Sequence, residues 1–197
     1  LEFDPSNPNV VYAAAYQRRR HVWGFLAGGP KSGIYKSTDG GATFKNMGLN
    51  QSFNIGKIIL HPTNENIVYV AVVGNIWAPV GDRGLYKTID GGKTWARILS
   101  ATAPDDADVG CVDVALSPSD PSLLYAALYA RRRTPWSFTY GPSATGGRDS
   151  GGIFRSTDAG ATWTRAPAAN ASCSTQCWYD LVIEVDPIDP ATVWFGG

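Results

Sequence analysis

The chain has 197 residues, with 17 Lys and Arg against 17 Asp and Glu, 44% hydrophobic and 12% aromatic content. That balance excludes a disordered polyelectrolyte and gives no net charge to direct the chain to nucleic acid or an anionic membrane. No run reaches the roughly 20 apolar residues of a membrane-spanning helix, so no membrane insertion is expected. No signal-peptide pattern opens the chain, which carries no information for a chain that starts inside a repeat.

In chain order, Leu1-Glu-Phe-Asp-Pro5 matches Ile183-Glu-Val-Asp-Pro187, so the chain is expected to begin at the end of one innermost strand and to stop in or just after a second strand. Next come four copies of a Pro/Asn/Asp/Ser turn opening a β-branched and aromatic run: Asp4–Tyr16, His61–Val73, Ser117–Tyr129 and Asp186–Gly197. A tight turn followed by such a run predicts a strand. Apolar runs precede three of these turns, at Ile55–Leu60, Val109–Leu116 and Tyr179–Val185.

Interleaved with them is a second repeat: GIYKSTDGGATF (Gly33–Phe44), GLYKTIDGGKTW (Gly84–Trp95) and GIFRSTDAGATW (Gly152–Trp163). Its aspartates, Asp39, Asp90 and Asp158, stand 51 and 68 residues apart. Each unit reads strand, turn, strand, loop, strand, Asp-turn, short strand, and no window has helical periodicity. Four short antiparallel strands per unit predict an all-β chain of β-propeller blades. The expected blades are residues 1–53, 54–107, 108–175 and the start of a further one at 176–197. Closed rings need about four to eight blades, so about three, cut out of phase, predict a partial propeller. Its open edges would be covered by the remaining blades of a longer chain or by self-association.

The Asp-turn has a physical logic. The carboxylate accepts from N–H groups just beyond it, Gly supplies positive φ, and the final aromatic packs between sheets. The structural positions are Ser37, Asp39, Gly41 and Phe44; Thr88, Asp90, Gly92 and Trp95; and Ser156, Asp158, Gly160 and Trp163. In these residues the chain resembles the Asp-box, or bacterial neuraminidase (BNR) repeat, S-x-D-x-G-x-T-W. More narrowly it is similar to sortilin/VPS10-like and BNR-repeat glycosyl-hydrolase propellers of secreted proteins, and to xyloglucan-cleaving propeller hydrolases. The resemblance implies that the Asp-turns are structural, that the protein is extracellular or in the cell envelope, and that no cofactor is needed.

Strand alternation puts the Asp-turns and the Pro/Asn turns on one face and the loops from second to third strands on the other, which is the face to search for function. There, Arg18, Arg19, Arg20 and Trp23 follow Tyr16, and Arg131, Arg132, Arg133 and Trp136 follow Tyr129. Trp77 occupies the equivalent loop of the middle blade. Arg forks and Trp faces suit carboxylates, phosphates and sugar rings. The same arginines would also clamp blades by pairing with Asp105, Asp106, Asp108 and the region of Asp149, a reading that alternation favours because the Arg side chains cannot all point at one ligand; the three aspartates at 105, 106 and 108 are themselves ligand-binding candidates. Glycoside hydrolysis needs two carboxylates about 5 to 10 Å apart. Asp113 and Asp180, which interrupt apolar inner strands, are the candidates, and hydrated channel-facing positions are the competing reading.

Other chemistries find no support. Arg-Ile-Pro, which sialidases carry, is missing, as are G-x-S-x-G, a Cys–His pair and a helix-linked phosphate loop. Cys173 and Cys177 lack further ligands for a zinc site and stand either as a local disulfide or as two thiols, while Cys111 reads as apolar filler. No metal site is expected. Two functions remain: a carbohydrate-binding or glycoside-cleaving propeller, and a sortilin-like scaffold with a protein or peptide ligand.

Overall fold

The structure, a computed structural model, describes residues 1–78, 80–99, 109–130, 152–166 and 181–196. The described residues are strands and turns without a helix. The chain divides into two compact units, Leu1–Arg97 and Ile98–Gly197.

In the first unit, β1 (Glu2–Phe3) and β2 (Val11–Ala15) begin one antiparallel sheet. A separate hairpin follows, β3 (Arg18–His21) and β4 (Gly24–Ala27), before β5 (Gly33–Ser37) and β6 (Lys45–Asn46) complete the sheet in the order β1-β2-β5-β6. The second sheet runs through β7 (Ile55–His61), β8 (Asn64–Val72), β9 (Gly84–Thr88) and β10 (Ala96–Leu99), side by side in chain order. In the second unit, β11 (Val109–Leu116), β12 (Leu124–Ala130), β13 (Gly152–Ser156) and β14 (Thr164–Arg165) form a third such sheet. The strands β15 (Val182–Val185) and β16 (Val193–Gly196) form a two-stranded one.

The second strands lie at the centre of the packing. Val68 to Val72 are fully buried, and Leu124 to Leu128 nearly so. In the first unit Val10, Tyr12 and Ile34 of one sheet close on Ile58, Val68, Val70 and Val72 of the next. In the second unit Ala115, Tyr125 and Ala127 close on Ile183 and Val185. A tyrosine on each second strand sits opposite a cation on the third: Tyr12 with Lys36, Tyr69 with Lys87 and Tyr125 with Arg155. The Lys36 and Lys87 ammonium groups lie 4.9 and 5.4 Å from the ring centres they face. Burial pushes the Tyr69 phenol up to about 12 and raises Tyr12 as well, which keeps both as hydrogen-bond donors. Tyr12 donates to Glu65 O and Gly91 O of the adjacent sheet, and Tyr125 donates to Pro190 O. Glu65 and Pro190 hold equivalent positions in their repeats, so one residue type latches consecutive sheets in both units.

The three Asp-turns share one hydrogen-bond plan. The Ser37 hydroxyl donates to Asp39 Oδ1 at 2.6 Å and accepts from Gly41 N at 2.8 Å, while Thr43 N donates to Asp39 Oδ1 at 2.9 Å. Thr88 substitutes for the serine in the second copy because its Oγ1 makes the same bonds, at 2.7 Å to Asp90 and 2.9 Å from Gly92 N. Positive φ falls at Gly40, Gly91 and Ala159; the alanine accepts a left-handed geometry that glycine adopts without strain. In each blade the residue after the aspartate donates to the preceding Pro/Asn turn, to Asn9 O, Asn66 O and Ser122 O respectively. Both kinds of turn therefore share one end of the blade. Trp95 Nε1 donates to Met47 O of the neighbouring sheet at 2.8 Å, whereas Trp163 Nε1 bonds Gly160 O within its own turn.

The hydroxyl of Ser37, then the hydroxyl and N–H of Thr43, hold Asp39 down at about 2; Thr162, then Ser156, do the same for Asp158, also at about 2. Asp90 is lowered for the same reasons, Thr94 first. Because the folded value lies below the ordinary 3.8, the stabilisation is complete above that pH and is lost as pH falls through about 2. Acid titration of the folded fraction by circular dichroism should show this loss between those limits. The triple Asp39→Asn, Asp90→Asn, Asp158→Asn chain should be less stable at pH 7 and show a flatter profile below pH 3.8; an unchanged acid limb would refute the assignment.

Candidate functional site

At the end of the first unit away from the Asp-turns, the segments between second and third strands carry the candidate ligand residues. The sequence reading makes Arg18–Trp23 a loop. The chain instead pairs Arg18 with Ala27, Arg19 with Leu26, Arg20 with Phe25 and His21 with Gly24. The physical reason lies downstream: Gly24-Phe25-Leu26-Ala27 supplies a partner strand, and the resulting hairpin satisfies backbone groups that a loop would leave to water.

This pairing sorts the arginines. Residues two apart on a strand share a face. Arg18 and Arg20 both sit over the Phe25 ring, their guanidinium carbons 5.5 and 5.8 Å from its centre, and alternation directs Arg19 to the other face. Phe25 also meets Trp77 of the next blade edge-on, at 6.1 Å and 74°. His21 stacks on Trp23 at 5.2 Å and 8°. Trp23 is 84% exposed and Trp77 60% exposed, so much of each indole is open to solvent. The structure thus brings Arg18, Arg20 and Trp77 together through a residue, Phe25, that the sequence reading did not single out.

Two further residues missed in the sequence build this surface. Arg83, buried at 5% exposure, donates to the Val73, Asn75 and Ala78 carbonyls and so shapes the Trp77 loop from beneath. Asn75 Oδ1 accepts from Trp77 N at 2.8 Å and finishes the turn. The linker from β6 to β7 ties both loops down. Ser32 Oγ donates to Phe53 O at 3.0 Å, Asp82 N to Gln51 O at 2.9 Å, and Asn54 Nδ2 to Gly74 O at 2.8 Å. The Phe53 side chain lies where a Cβ on either Gly28 or Gly81 would be, 2.7 and 2.6 Å from its atoms. Both glycines have positive φ. No local sequence pattern marks Phe53 or Arg83.

In the second unit, Asp113 is buried. Its Oδ1 accepts from Val114 N at 2.8 Å and its Oδ2 from Ile183 N at 2.9 Å, tying β11 to β15. Backbone N–H groups thus engage both carboxylate oxygens, the arrangement of a structural tie between strands. Asp180, Asp105, Asp106, Asp108, Arg131, Arg132, Arg133, Trp136, Cys173 and Cys177 lie outside the described residues. Among the described residues no group of three or more His, Cys, Asp and Glu is placed to hold a metal ion. Among them, too, no helix is long and apolar enough to cross a membrane.

No family model matches the chain. Over 134 residues, 66% of its length, it is 33% identical to a probable oligoxyloglucan-reducing end-specific xyloglucanase of Neosartorya fischeri. The chain is homologous to a xyloglucanase. It spans 14% of that relative. An ancestral GH74 enzyme superposes with a TM-score of 0.62 at 19% identity, covering 98% of this chain and 21% of the other. The GH74 enzyme of Niastella koreensis gives 0.52 at 23% identity, covering 86% and 22%. At those identities the structural likeness is one of fold, and with the repeated four-stranded sheets it makes these units β-propeller blades.

Proposed function

We propose that this chain is part of an Asp-box (BNR-repeat) propeller, working outside the cell or in the envelope, whose face opposite the Asp-turns binds a glycan. The observation that carries the reading is the exposed Trp77–Phe25–Arg18/Arg20 cluster, with Trp23 beside it. It offers flat apolar faces for a sugar ring and fixed donors for its hydroxyls. Homology to a xyloglucanase supports a carbohydrate as the ligand. Binding, not bond cleavage, is the role assigned to the described residues, because Asp113 has both oxygens committed to backbone N–H groups.

The test is titration calorimetry of the 197-residue chain with xyloglucan oligosaccharides and a panel of other plant and microbial oligosaccharides. Trp77→Ala is expected to weaken the best ligand about tenfold, near the roughly 1.4 kcal/mol that one stacked aromatic face supplies. Trp23→Ala should weaken it less, because among the described residues the one ring contact of Trp23 is with the exposed His21. Failure of every glycan to bind, or binding indifferent to both tryptophans, would overturn the proposal.

A further inference from the structure

We infer that the Trp77–Arg18–Arg20 surface selects glycans that carry carboxylates, uronate-containing chains, over neutral ones. The inference rests on the glycan-binding reading above and adds the ligand's charge. Strand alternation puts Arg18 and Arg20 on one side, and the β3–β4 register sets both over one phenyl ring. Phe25 attracts both guanidinium groups through its negative face and so holds two like charges side by side. Among the described residues neither guanidinium has a carboxylate partner. The pair is a preset receptor for an anion, and Arg presents a planar fork that matches a carboxylate with two parallel hydrogen bonds.

The ring next to this receptor decides the class of anion. Trp77 touches the edge of Phe25, so a pyranose stacked on the exposed indole brings substituents within side-chain reach of the arginines. A neutral sugar would use the indole and leave the two cations without a counter-charge. A uronate ring uses both. Phe25 is then a positioning residue: it touches no ligand but orients the two guanidinium groups and Trp77.

Matched ligands test this. The full chain is titrated with galacturonan oligosaccharides and with the same oligosaccharides after reduction of the carboxyl groups to alcohols. The acidic form should bind at least tenfold tighter, and the preference should shrink as salt is raised. In the Arg18→Gln, Arg20→Gln double variant the two affinities should converge, the acidic form losing at least tenfold and the reduced form less. Both side chains are exposed, so thermal unfolding of the variant should match the original chain. Equal affinity for the two forms, or a preference that survives the double substitution, overturns the inference and leaves glycan binding standing. No binding of either form or of the neutral panel overturns both.

Discussion

Replacing Asp113 with alanine will destabilise the unit Ile98–Gly197 by about 3 kcal/mol, roughly the sum of two buried hydrogen bonds to a charged acceptor less what relaxation recovers. The reasoning starts from backbone accounting. Val114 N donates to Oδ1 and Ile183 N to Oδ2, and the side chain is 7% exposed, so alanine leaves the two donors facing a small void. Asparagine is also destabilising, by about half as much, because its amide can accept one N–H but presents NH2 to the other. Urea unfolding of the three proteins, with midpoints compared at constant slope, measures this. Glycan affinity of the folded Asp113→Asn chain should be unchanged, since Trp77, Arg18 and Arg20 belong to the other unit. An Asp113→Asn chain of full stability that loses glycan turnover present in the original would return Asp113 to a catalytic role.

Much of the blade was legible because its determinants are local. The Ser/Thr–Asp–Gly–Thr spacing contains all the donors and acceptors of its own turn, so Ser37, Asp39 and Thr43 specify their bonds without help from the rest of the chain. The Tyr of each second strand was visible as an apolar strand residue. Its hydroxyl contacts to Glu65, Gly91 and Pro190 were not, because they cross to another sheet. The face proposed for the ligand follows from strand alternation in the sequence, but the geometry on it does not. Arg18-Arg19-Arg20-His21 lacks the apolar alternation of a strand, and the hairpin forms because Gly24–Ala27 pairs with it. Without that register, two arginines on one face could not be separated from three that diverge. Phe25, Phe53 and Arg83 act through contacts between segments distant in sequence, and a single sequence holds no record of those.

Phe53 gives the second large expectation. Substituting Gly81 with alanine should cost about 3 kcal/mol and also weaken glycan binding, from a position that is not in the ligand-facing cluster. Two penalties combine. Gly81 has φ +86°, where a Cβ is strained, and that Cβ would stand 2.3 Å from Gln51 O and 2.6 Å from the Phe53 ring. Left-handed strain and overpacking are each worth about 1 to 3 kcal/mol. The obstructing Gln51 oxygen is backbone and already accepts from Asp82 N, so the linker cannot yield cheaply and the Trp77 loop must shift. A shifted Trp77 leaves the edge of Phe25, and with it the arginines that Phe25 orients. Gly24→Ala is the matched control in the hairpin turn region: nothing lies within 4 Å of its Cβ position and its φ is not positive, so stability should change by no more than about 0.5 kcal/mol. Measured side by side by chemical unfolding and by titration with the best glycan, the pair isolates the coupling between linker and ligand face. If Gly81→Ala matches Gly24→Ala in both readouts, the Phe53 wedge does not hold the two loops in register, and the cluster on the ligand face owes its geometry to the hairpin alone.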